Sequence, residues 1–303
     1  MKKSQATTRA ARAGGRLVGK LAVFGVGLIG GSFALALKKR RAVTTVVGVG
    51  RSRANLVAAR RLGIIDEIAV DPAHAVRDAD LVLLAVPLGQ TAGVLAQIAP
   101  HLAAHTVVSD AGSTKQDVIA SARRLLGPAF ARFVPAHPIA GTEKSGARAA
   151  FPELFNGRNL ILTPAPETAA RAVRLVTAAW KAAGMRIRTM QAAEHDRVFA
   201  LVSHLPHLLS FAAVANIAAY PDAAKLFTHT GGGFRDLTRI AGSSPEMWRD
   251  ICIANRAAIL LALDGYLSDL EAVRGMIDAG NAPALEAKFA IARAARAKWL
   301  KPR

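Results

Sequence analysis

Between residues 21 and 189, short apolar runs alternate with longer segments in which apolar positions recur at helical spacing. This alternation is typical of βαβ units, which build a parallel sheet with helices on its faces. Several runs are continuously apolar, as expected for strands covered on both sides. The predicted strands are residues 21–24, 46–49, 81–86, 106–109, 132–136, 159–162 and 186–189. The predicted helices between them are residues 32–39, 56–61, 90–99, 115–126 and 168–183.

The strand pattern ends near residue 190, and the rest of the chain is predicted to be helical. At the start of one helix, Ser244 suits the capping of a free N–H group and Pro245 suits the first turn. The predicted helices are residues 194–219, 223–227, 245–270 and 284–298. We therefore expect a disordered basic tail at 1–19, a parallel α/β domain at 20–190 and an all-α domain at 191–303.

The segment 198–219 is apolar on nearly every side, and such a helix must be buried all round. A membrane span is the competing interpretation. Hydrocarbon would strand the polar groups of Ser203, His204, His207 and Asn216, and Pro206 would interrupt the helix. Burial between two copies of the chain is favoured, which predicts a homodimer through the C-terminal helices and no membrane partner.

The formal net charge of +19 is concentrated in one part of the chain. The first 65 residues contain 14 lysines and arginines and no acidic residue, whereas the remainder contains 26 basic and 21 acidic residues. The excess therefore lies in the predicted tail and the first βαβ unit, and we expect no nucleic-acid partner. Cys252 is the only cysteine, and no secretory leader pattern is evident, so a cytoplasmic location is expected.

Three glycines with G-x-G-x-x-G spacing, Gly25, Gly27 and Gly30, stand between the first predicted strand and the first predicted helix. In this context they allow a tight turn, close approach of the backbone to a pyrophosphate, and close packing of helix on strand. The motif predicts a Rossmann-type dinucleotide site. The residues between the glycines, Val26, Leu28 and Ile29, are expected to border the cofactor.

The end of the second strand bears on the choice of cofactor. An NAD-binding fold normally places Asp or Glu there for the ribose hydroxyls, but this chain has Gly50, followed by Arg51, Ser52 and Arg53. Two guanidiniums beside an uncharged position suit a 2′-phosphate. The sequence therefore favours NADP over NAD modestly, and solvated surface arginines are the alternative. Val86 and Pro87, at the end of the strand predicted at 81–86, are expected to border the nicotinamide.

Four ordered segments carry a resemblance to a known family. They are DAGSTK at 110–115, HPIAGTEKSG at 137–146, SHLPH at 203–207 and GGGFRDLTRIAGSSPEMW at 231–248. Together with the glycine motif, they resemble the prephenate and arogenate dehydrogenase family over roughly residues 21–270. The resemblance implies oxidation and decarboxylation of a cyclohexadienyl acid in tyrosine biosynthesis, with hydride passing to a nicotinamide.

That reaction requires an acceptor for the proton of the 4-hydroxyl group and a cation for a carboxylate. The resemblance assigns the first role to His137, which on its own pattern fits a packing residue equally well. Ser113 would hydrogen-bond the same hydroxyl or the nicotinamide amide, and its alternative role is a helix cap. Arg239 suits the carboxylate because a guanidinium binds it through two parallel hydrogen bonds.

The resemblance implies further residues around the substrate. His207 would line the pocket, and Glu143 with Asp236 would form an ion network that positions the arginine. The pocket would be completed by Gly232, Ser243 and Trp248, from this subunit or its partner. No metal site is expected, since hydride transfer from this substrate needs no Lewis acid.

Other functions remain open at this stage. An arogenate dehydrogenase would perform the same chemistry on a substrate with an ammonium in place of the keto group. A β-hydroxyacid dehydrogenase has a similar domain plan, but it usually relies on a lysine base in the helical part, and residues 194–236 contain only Lys225. A regulator that senses NAD(P) and binds DNA is supported only by the basic first segment.

Overall fold

A computed structural model describes residues 16–142 and 144–300. Six parallel strands form the main sheet in the order β3-β2-β1-β4-β5-β6. They are β1 (Val18–Phe24), β2 (Val43–Val49), β3 (Glu67–Ile68), β4 (Leu81–Leu84), β5 (Val107–Asp110) and β6 (Phe133–Val134). The strand order reverses between β1 and β4, and in such sheets ligands bind at this point, beyond the carboxyl ends of the strands.

Helices follow the strands as the alternation predicts. They are α1 (Leu28–Lys39), α2 (Arg53–Arg61), α3 (Pro72–Val76), α4 (Leu88–Ile98), α5 (Gln116–Leu126) and α6 (Ala170–Ala182). Phe33 of α1 packs on Trp180 of α6 with ring centroids 4.2 Å apart, and Trp180 also meets Phe155 edge-on. This aromatic cluster holds α1, and with it the glycine turn, against the sheet.

A second, three-stranded sheet follows, made of β7 (Ala136–Pro138), β8 (Asn159–Leu162) and β9 (Arg186–Thr189). The single strand predicted at 132–136 is wrong in this respect, because it is divided between the two sheets at Pro135. Proline has no N–H group to donate to a ladder, so the chain leaves the first sheet there. His137 of β7 pairs with Ile161 of β8.

Beyond residue 190 every described element is helical, which confirms the predicted fold class. Up to residue 256 the helices are α7 (Ala192–Phe199), a π-helical stretch (Ala200–His204), α8 (Leu205–Ala218), α9 (Ala223–Thr228), α10 (Gly232–Thr238) and α11 (Pro245–Ala254). Ser244 caps α11 by accepting from the Met247 N–H, and Pro245 occupies its first turn, as predicted.

The chain divides into two compact units, residues up to 256 and residues from 257 onward. The second unit is helical, with α12 (Arg256–Asp278) and α13 (Ala282–Trp299). The single helix predicted at 245–270 is broken, because Asn255 leaves the helical path and turns its amide into the first unit. The predicted tail lies outside the described residues up to position 15, and its last two residues, Val18 and Gly19, belong to β1.

Among the described residues, one helical segment, Ala192–Ala218, is long and apolar enough to cross a membrane by length and composition alone. The prediction that 198–219 is buried all round is not met within one chain, because Leu201 and Val202 are exposed. The opposite side of the segment is buried and polar, with His195, Asp196 and His204 turned into the protein. The helix therefore has one protein-facing side and one uncovered apolar side.

Candidate active site

The glycine turn between β1 and α1 has the shape of a phosphate cradle. Gly25 has φ +90°, and a Cβ there would lie 2.3 Å from the Ala85 carbonyl oxygen. A Cβ on Gly30 would lie 2.3 Å from the Gly25 carbonyl oxygen, whereas one on Gly27 would meet nothing within 4 Å. Close packing thus requires two of the glycines, and the third leaves open space.

That open space faces the start of a helix with free donors. Gly27 is the N-cap of α1 and offers no side-chain cap, so the first N–H groups remain available to an anion. Val26 and Leu28 are buried and Ile29 is packed against the core, which leaves the backbone of the turn to meet a ligand. The residues present therefore fit a dinucleotide pyrophosphate.

The residues after β2 differ in their freedom to bind a phosphate. Ser52 caps α2, where its hydroxyl accepts from the Asn55 N–H at 3.2 Å. Arg53 is exposed at the start of α2. Arg51 is also exposed, but its guanidinium lies 3.5 Å from Glu246 Oε1. With its oxygen turned toward Arg51, the Gln90 amide accepts from both Nη atoms at 3.0 and 3.2 Å.

Val86 and Pro87 connect β4 to α4, and Pro87 is the N-cap residue of that helix. Two residues further on, the Gly89 N–H donates to Asp250 Oδ2 of α11 at 3.1 Å. This bond fixes the β4–α4 connection, which borders the same end of the sheet as the glycine turn, against the helical part of the first unit.

His137 lies on β7 within a chain of polar contacts. Its Nδ1 is 2.8 Å from His195 Nε2 of α7, and His195 Nδ1 is 2.8 Å from Asp196 Oδ1. Phe199 packs against both rings, with centroids 4.7 Å from that of His137 and 4.5 Å from that of His195. The His137 ring is thus fixed from one side by a second histidine.

A buried ion pair between Lys115 and Asp110 lies behind His137. Lys115 has 0% and Asp110 2% of its side chain exposed. Both are bonded to the residue before the histidine, since Lys115 Nζ donates to the Ala136 carbonyl at 2.8 Å and Asp110 Oδ1 accepts from the Ala136 N–H at 3.0 Å. Asp110 also accepts from the Gly112 N–H at 2.8 Å.

The environment keeps this set of groups in defined charge states. Burial, followed by the proximity of His195 and Lys115, lowers the pKa of His137 well below its ordinary value. Burial also lowers the pKa of His195, against the opposing effect of its hydrogen bond to Asp196. Burial acts to raise the pKa of Asp196, but hydrogen bonds from His195 and two backbone N–H groups lower it overall. At neutral pH both imidazoles are therefore neutral and Asp196 is ionised.

A second group of side chains continues from this network toward α10. Asn255 Nδ2 bonds both the Asp196 carbonyl, at 2.8 Å, and His204 Nδ1, at 3.1 Å. His204 meets Trp248 edge-on, and Trp248 stacks on His207 with ring centroids 3.8 Å apart and an angle of 20°. Burial lowers the pKa of His207, and the positive charge of Arg239 lowers it further. The short 3-10 turn that begins at Arg239 packs against α8, the helix that carries His207.

The other residues predicted to contact substrate are placed less closely. Ser113 lies in the loop between β5 and α5 and forms no hydrogen bond with another described residue. Gly232 and Asp236 are exposed on α10, and Ser243 ends the short 3-10 turn that begins at Arg239. Glu143 lies outside the described residues, and with it the predicted ion network. Within the ranges described, no group of three or more His, Cys, Asp or Glu side chains is arranged to hold a metal ion.

Sequence reasoning missed five residues of the network around His137. Asp110 and Lys115 were part of a recognised segment but had no role of their own, and His195 was assigned no role. A charged pair that opens and closes the loop after an apolar strand, as in DAGSTK, is a usable signal. The missed residues are Asp110, Lys115, His195, Asp196 and Asn255.

Two family models match the chain. The nucleotide-binding domain of prephenate dehydrogenase matches residues 33–189, and the dimerization domain of prephenate dehydrogenase matches residues 191–291. Together they cover most of the chain and confirm the resemblance drawn from the four sequence segments.

Individual relatives agree with the family models. A cyclohexadienyl dehydrogenase from Zymomonas mobilis is 39% identical, over 85% of this chain and 88% of that protein. A prephenate dehydrogenase from Bacillus subtilis is 37% identical, over 89% and 73% of the two chains. The crystal structure of prephenate dehydrogenase from A. aeolicus with hydroxyphenyl propionate and NAD+ has a TM-score of 0.86 at 33% identity, covering 92% of this chain and 98% of that one. With its sheet order, glycine turn and helical second part, the chain belongs to the prephenate dehydrogenase family of oxidoreductases.

Proposed function

We propose that this chain converts prephenate to 4-hydroxyphenylpyruvate and CO2, with hydride transfer to NAD(P), in tyrosine biosynthesis. One observation carries the proposal: a neutral, rigidly held histidine, His137, is joined by continuous contacts to Trp248 and His207, and the turn that begins at Arg239 packs against the helix of His207. The bound nicotinamide supplies the acceptor for the hydride. The remaining requirements fall to side chains of the protein.

His137 is proposed to accept the proton of the 4-hydroxyl group. As the C4–H bond breaks and hydride leaves, the oxygen becomes a carbonyl and gives up its proton to the imidazole. The C1–carboxylate bond then breaks, its electrons enter the ring, and CO2 departs. The oxygen of the new aromatic ring recovers the proton, so no net proton is released. A lowered pKa keeps His137 in the neutral form that this role requires. Ser113 is proposed to donate a hydrogen bond at the same oxygen.

Arg239 is proposed to bind the carboxylate of the substrate side chain and not that of the ring. The ring carboxylate must leave as neutral CO2, and a guanidinium bound to it would stabilise the ground state more than the transition state. His207 and Trp248, which stack on each other, would line the substrate, with Gly232 and Ser243 at the edge. Asp236 and Glu143 are proposed as the acidic partners of this arginine.

Prephenate is preferred to arogenate in this proposal because His207 and Trp248, the two stacked side chains that would line the substrate, offer no carboxylate for an ammonium. His207 is held neutral and Trp248 is uncharged. Arogenate is kept as a second substrate, since the Zymomonas relative is named for the cyclohexadienyl ring that both acids share.

NADP is proposed as the preferred cofactor, with NAD accepted. Gly50 provides no carboxylate for a ribose 2′-hydroxyl, and Arg51 and Arg53 are exposed at the end of β2. Arg51 is already in contact with Glu246 and Gln90, which limits the preference for NADP, and the A. aeolicus relative was crystallised with NAD+.

We also propose that the protein is a homodimer in which the partner covers the apolar side of Ala192–Ala218. A cytoplasmic location is proposed as well.

Initial rates with prephenate and arogenate, each with NAD and NADP, test the function directly. We expect turnover with prephenate, with kcat/KM favouring NADP. A preference for NAD of more than about tenfold, or ~1.4 kcal/mol in transition-state binding, would contradict the cofactor assignment. The absence of turnover in all four combinations would overturn the function. His137→Asn should lower kcat on the order of 100-fold, the usual scale for general base catalysis.

A further inference from the structure

The contacts of His137 determine which of its ring nitrogens carries the proton. Its Nδ1 and His195 Nε2 are 2.8 Å apart, so one of the two donates and the other accepts. The distance alone leaves the direction open. The next contact along the chain settles it.

An ionised carboxylate has only acceptor sites. Asp196 Oδ1 lies 2.8 Å from His195 Nδ1, so that nitrogen must carry a hydrogen. In a neutral imidazole the other nitrogen is then an acceptor, which means that His195 Nε2 receives the bond. His137 Nδ1 is therefore the donor, and the unprotonated nitrogen of His137 is Nε2. Nε2 makes no hydrogen bond with another described residue, and it is free to accept one from a ligand.

Asp196 is itself anchored, so the direction of the chain is fixed at its far end. Its two carboxylate oxygens accept from the N–H groups of Lys115, at 2.8 Å, and Gln116, at 2.9 Å, at the start of α5. Negative charge is favourable at a helix N-terminus. Asn255 holds the Asp196 backbone carbonyl as well. These contacts leave the carboxylate little freedom to turn away from His195.

Four titratable side chains outside the pair face His137 and His195. Lys115 and Asp110 approach from β5 and the loop before α5, Asp196 from α7, and His204 from the π-helical stretch. Lys115 and Asp110 neutralise each other and bond Ala136. Asp196 is therefore the one acidic group in the described network that acts through the His195 ring.

We propose that His195 and Asp196 are positioning residues that hold His137 with its proton on Nδ1 and its Nε2 lone pair directed at the substrate hydroxyl. After His137 accepts the substrate proton, the same chain stabilises the resulting imidazolium, because His195 Nε2 still accepts from Nδ1 and Asp196 still accepts from His195. The inference rests on the proposed role of His137. It adds the reason why this histidine is a competent acceptor from its Nε2 atom.

The direct test is nitrogen NMR on the full-length protein labelled with ¹⁵N-histidine, since ring nitrogen shifts distinguish a protonated from an unprotonated nitrogen. His137→Asn identifies the His137 signals by their loss. At neutral pH we expect Nδ1–H and an unprotonated Nε2 for both His137 and His195. A His137 ring protonated on Nε2 would overturn the proposal. Because the measurement needs no turnover, it stands even if the proposed substrate is wrong.

A pair of substitutions at 195 tests the catalytic consequence. His195→Leu removes the acceptor and should lower kcat by about 10-fold to 100-fold, the range for loss of an orienting partner, with little change in KM. Glutamine can offer its side-chain carbonyl oxygen to the Nδ1–H group of His137. His195→Gln should therefore restore kcat to within about threefold of the unsubstituted enzyme, which is less than about 1.4 kcal/mol, the free energy of a tenfold change. Asp196 is left intact because it also caps α5.

His101→Leu, at an exposed histidine outside the network, is the matched control and should change neither kcat nor the His137 spectrum. An unchanged kcat in His195→Leu, or equal losses in the Leu and Gln variants, would overturn the positioning role. Should His195→Leu fail to fold, the spectrum of the unsubstituted protein and the Gln variant still decide the question. Failure of the proposed function would appear differently, as no turnover of prephenate or arogenate by the unsubstituted protein with either cofactor.

Discussion

At the scale of individual residues, the buried polar side chains around His137 have hydrogen-bond partners for nearly all of their polar atoms. Asp110 accepts three hydrogen bonds, and the Asp196 carboxylate accepts from two backbone N–H groups and from His195. Two buried donors on the substrate side are exceptions, since His204 Nε2 and Trp248 Nε1 have no partner. A satisfied network is rigid, whereas unpaired buried donors are costly, so the strain of the site lies on the side where substrate is proposed to bind.

His204 should make the stability of the protein depend on pH. Burial lowers its pKa from 6.5 to about 4, and its Nδ1 accepts from Asn255, a bond that protonation would break. Between these two pH values the unfolded chain binds a proton that the folded chain does not, so stability is full above pH 6.5 and is lost as pH falls toward 4. The contribution is about 3 kcal/mol, at ~1.4 kcal/mol per pKa unit.

Urea unfolding at pH 7 and pH 4.5 measures this effect. In His204→Asn, which keeps an acceptor for Asn255, the loss of stability on acidification should be smaller than in the unsubstituted protein. His101→Asn, at an exposed position, serves as the control and should leave the loss unchanged. Equal acid sensitivity in the His204 variant and the unsubstituted protein would show that His204 is not the group that titrates.

Arg239 should affect substrate binding more than chemistry. Removal of a guanidinium from a carboxylate costs about 1.5–3 kcal/mol, so Arg239→Ala should raise the KM for prephenate by about 10-fold to 100-fold with a smaller change in kcat. Arg235→Ala, in α10 just before Arg239 and also exposed, is the control. If KM rose more in the Arg235 variant than in the Arg239 variant, carboxylate binding would be assigned to Arg235 instead.

How much of the site the sequence could predict depends on how local each residue's role is. The glycines act within six positions of one another, so spacing alone indicated their function. Asp196 acts on Lys115 across 81 positions, and only the fold brings them together. Periodicity and motifs report neighbours in sequence, and for this reason the network behind His137 was missed although two of its members stood in a recognised segment.

At the scale of elements, prediction succeeded where apolar pattern and length were sufficient. The strands at 159–162 and 186–189 have the predicted bounds. β3 has two residues and α3 five, which is too short to show a period. The π-helical stretch at Ala200–His204 was hidden within a long apolar helix, because one extra residue per turn leaves composition unchanged.

The β1–α1 turn offers a matched pair of glycine substitutions. Gly25→Ala places a methyl group 2.3 Å from a backbone oxygen at φ +90°, so it should lower the free energy of unfolding by about 1–3 kcal/mol. Gly27→Ala meets nothing within 4 Å and should leave stability within about 0.5 kcal/mol. It should instead raise the KM for the cofactor, because the methyl group would occupy the open cradle.

Thermal or urea unfolding and cofactor titration separate the two effects. Tight cofactor binding by a fully folded Gly27→Ala variant would contradict the assignment of the open space to the pyrophosphate. A Gly25→Ala variant of normal stability would contradict the packing argument for the turn.

At the scale of the whole molecule, the helical part presents more apolar surface than a monomer in water would be expected to expose. In the unit from residue 257 onward, Leu261 is 71% exposed, and Leu260, Leu267, Leu270 and Ile291 are also exposed. The family model that matches this part of the chain is a dimerization domain. The uncovered surface and the family description thus point to the same partner, a second copy of the chain.

We expect sedimentation to give a mass about twice that of the 31.8 kDa chain. Leu261→Glu should shift the equilibrium toward monomer, because a charge would be buried without a partner. Leu62→Glu is the control, since Leu62 is 50% exposed on the dinucleotide-binding side of the chain. A monomeric unsubstituted protein at micromolar concentration, without detergent, would contradict the proposed homodimer.

The buried pair of Lys115 and Asp110 also restricts how this sequence can drift over evolutionary time. Loss of either partner leaves an uncompensated buried charge, at a cost of about 3–5 kcal/mol, which is a large share of the stability of an ordinary domain. Replacement of both by apolar residues would be tolerable for folding but would release the backbone of Ala136. No single-step path therefore leads away from this pair, and we expect its two positions to change together or not at all among descendants that keep the reaction.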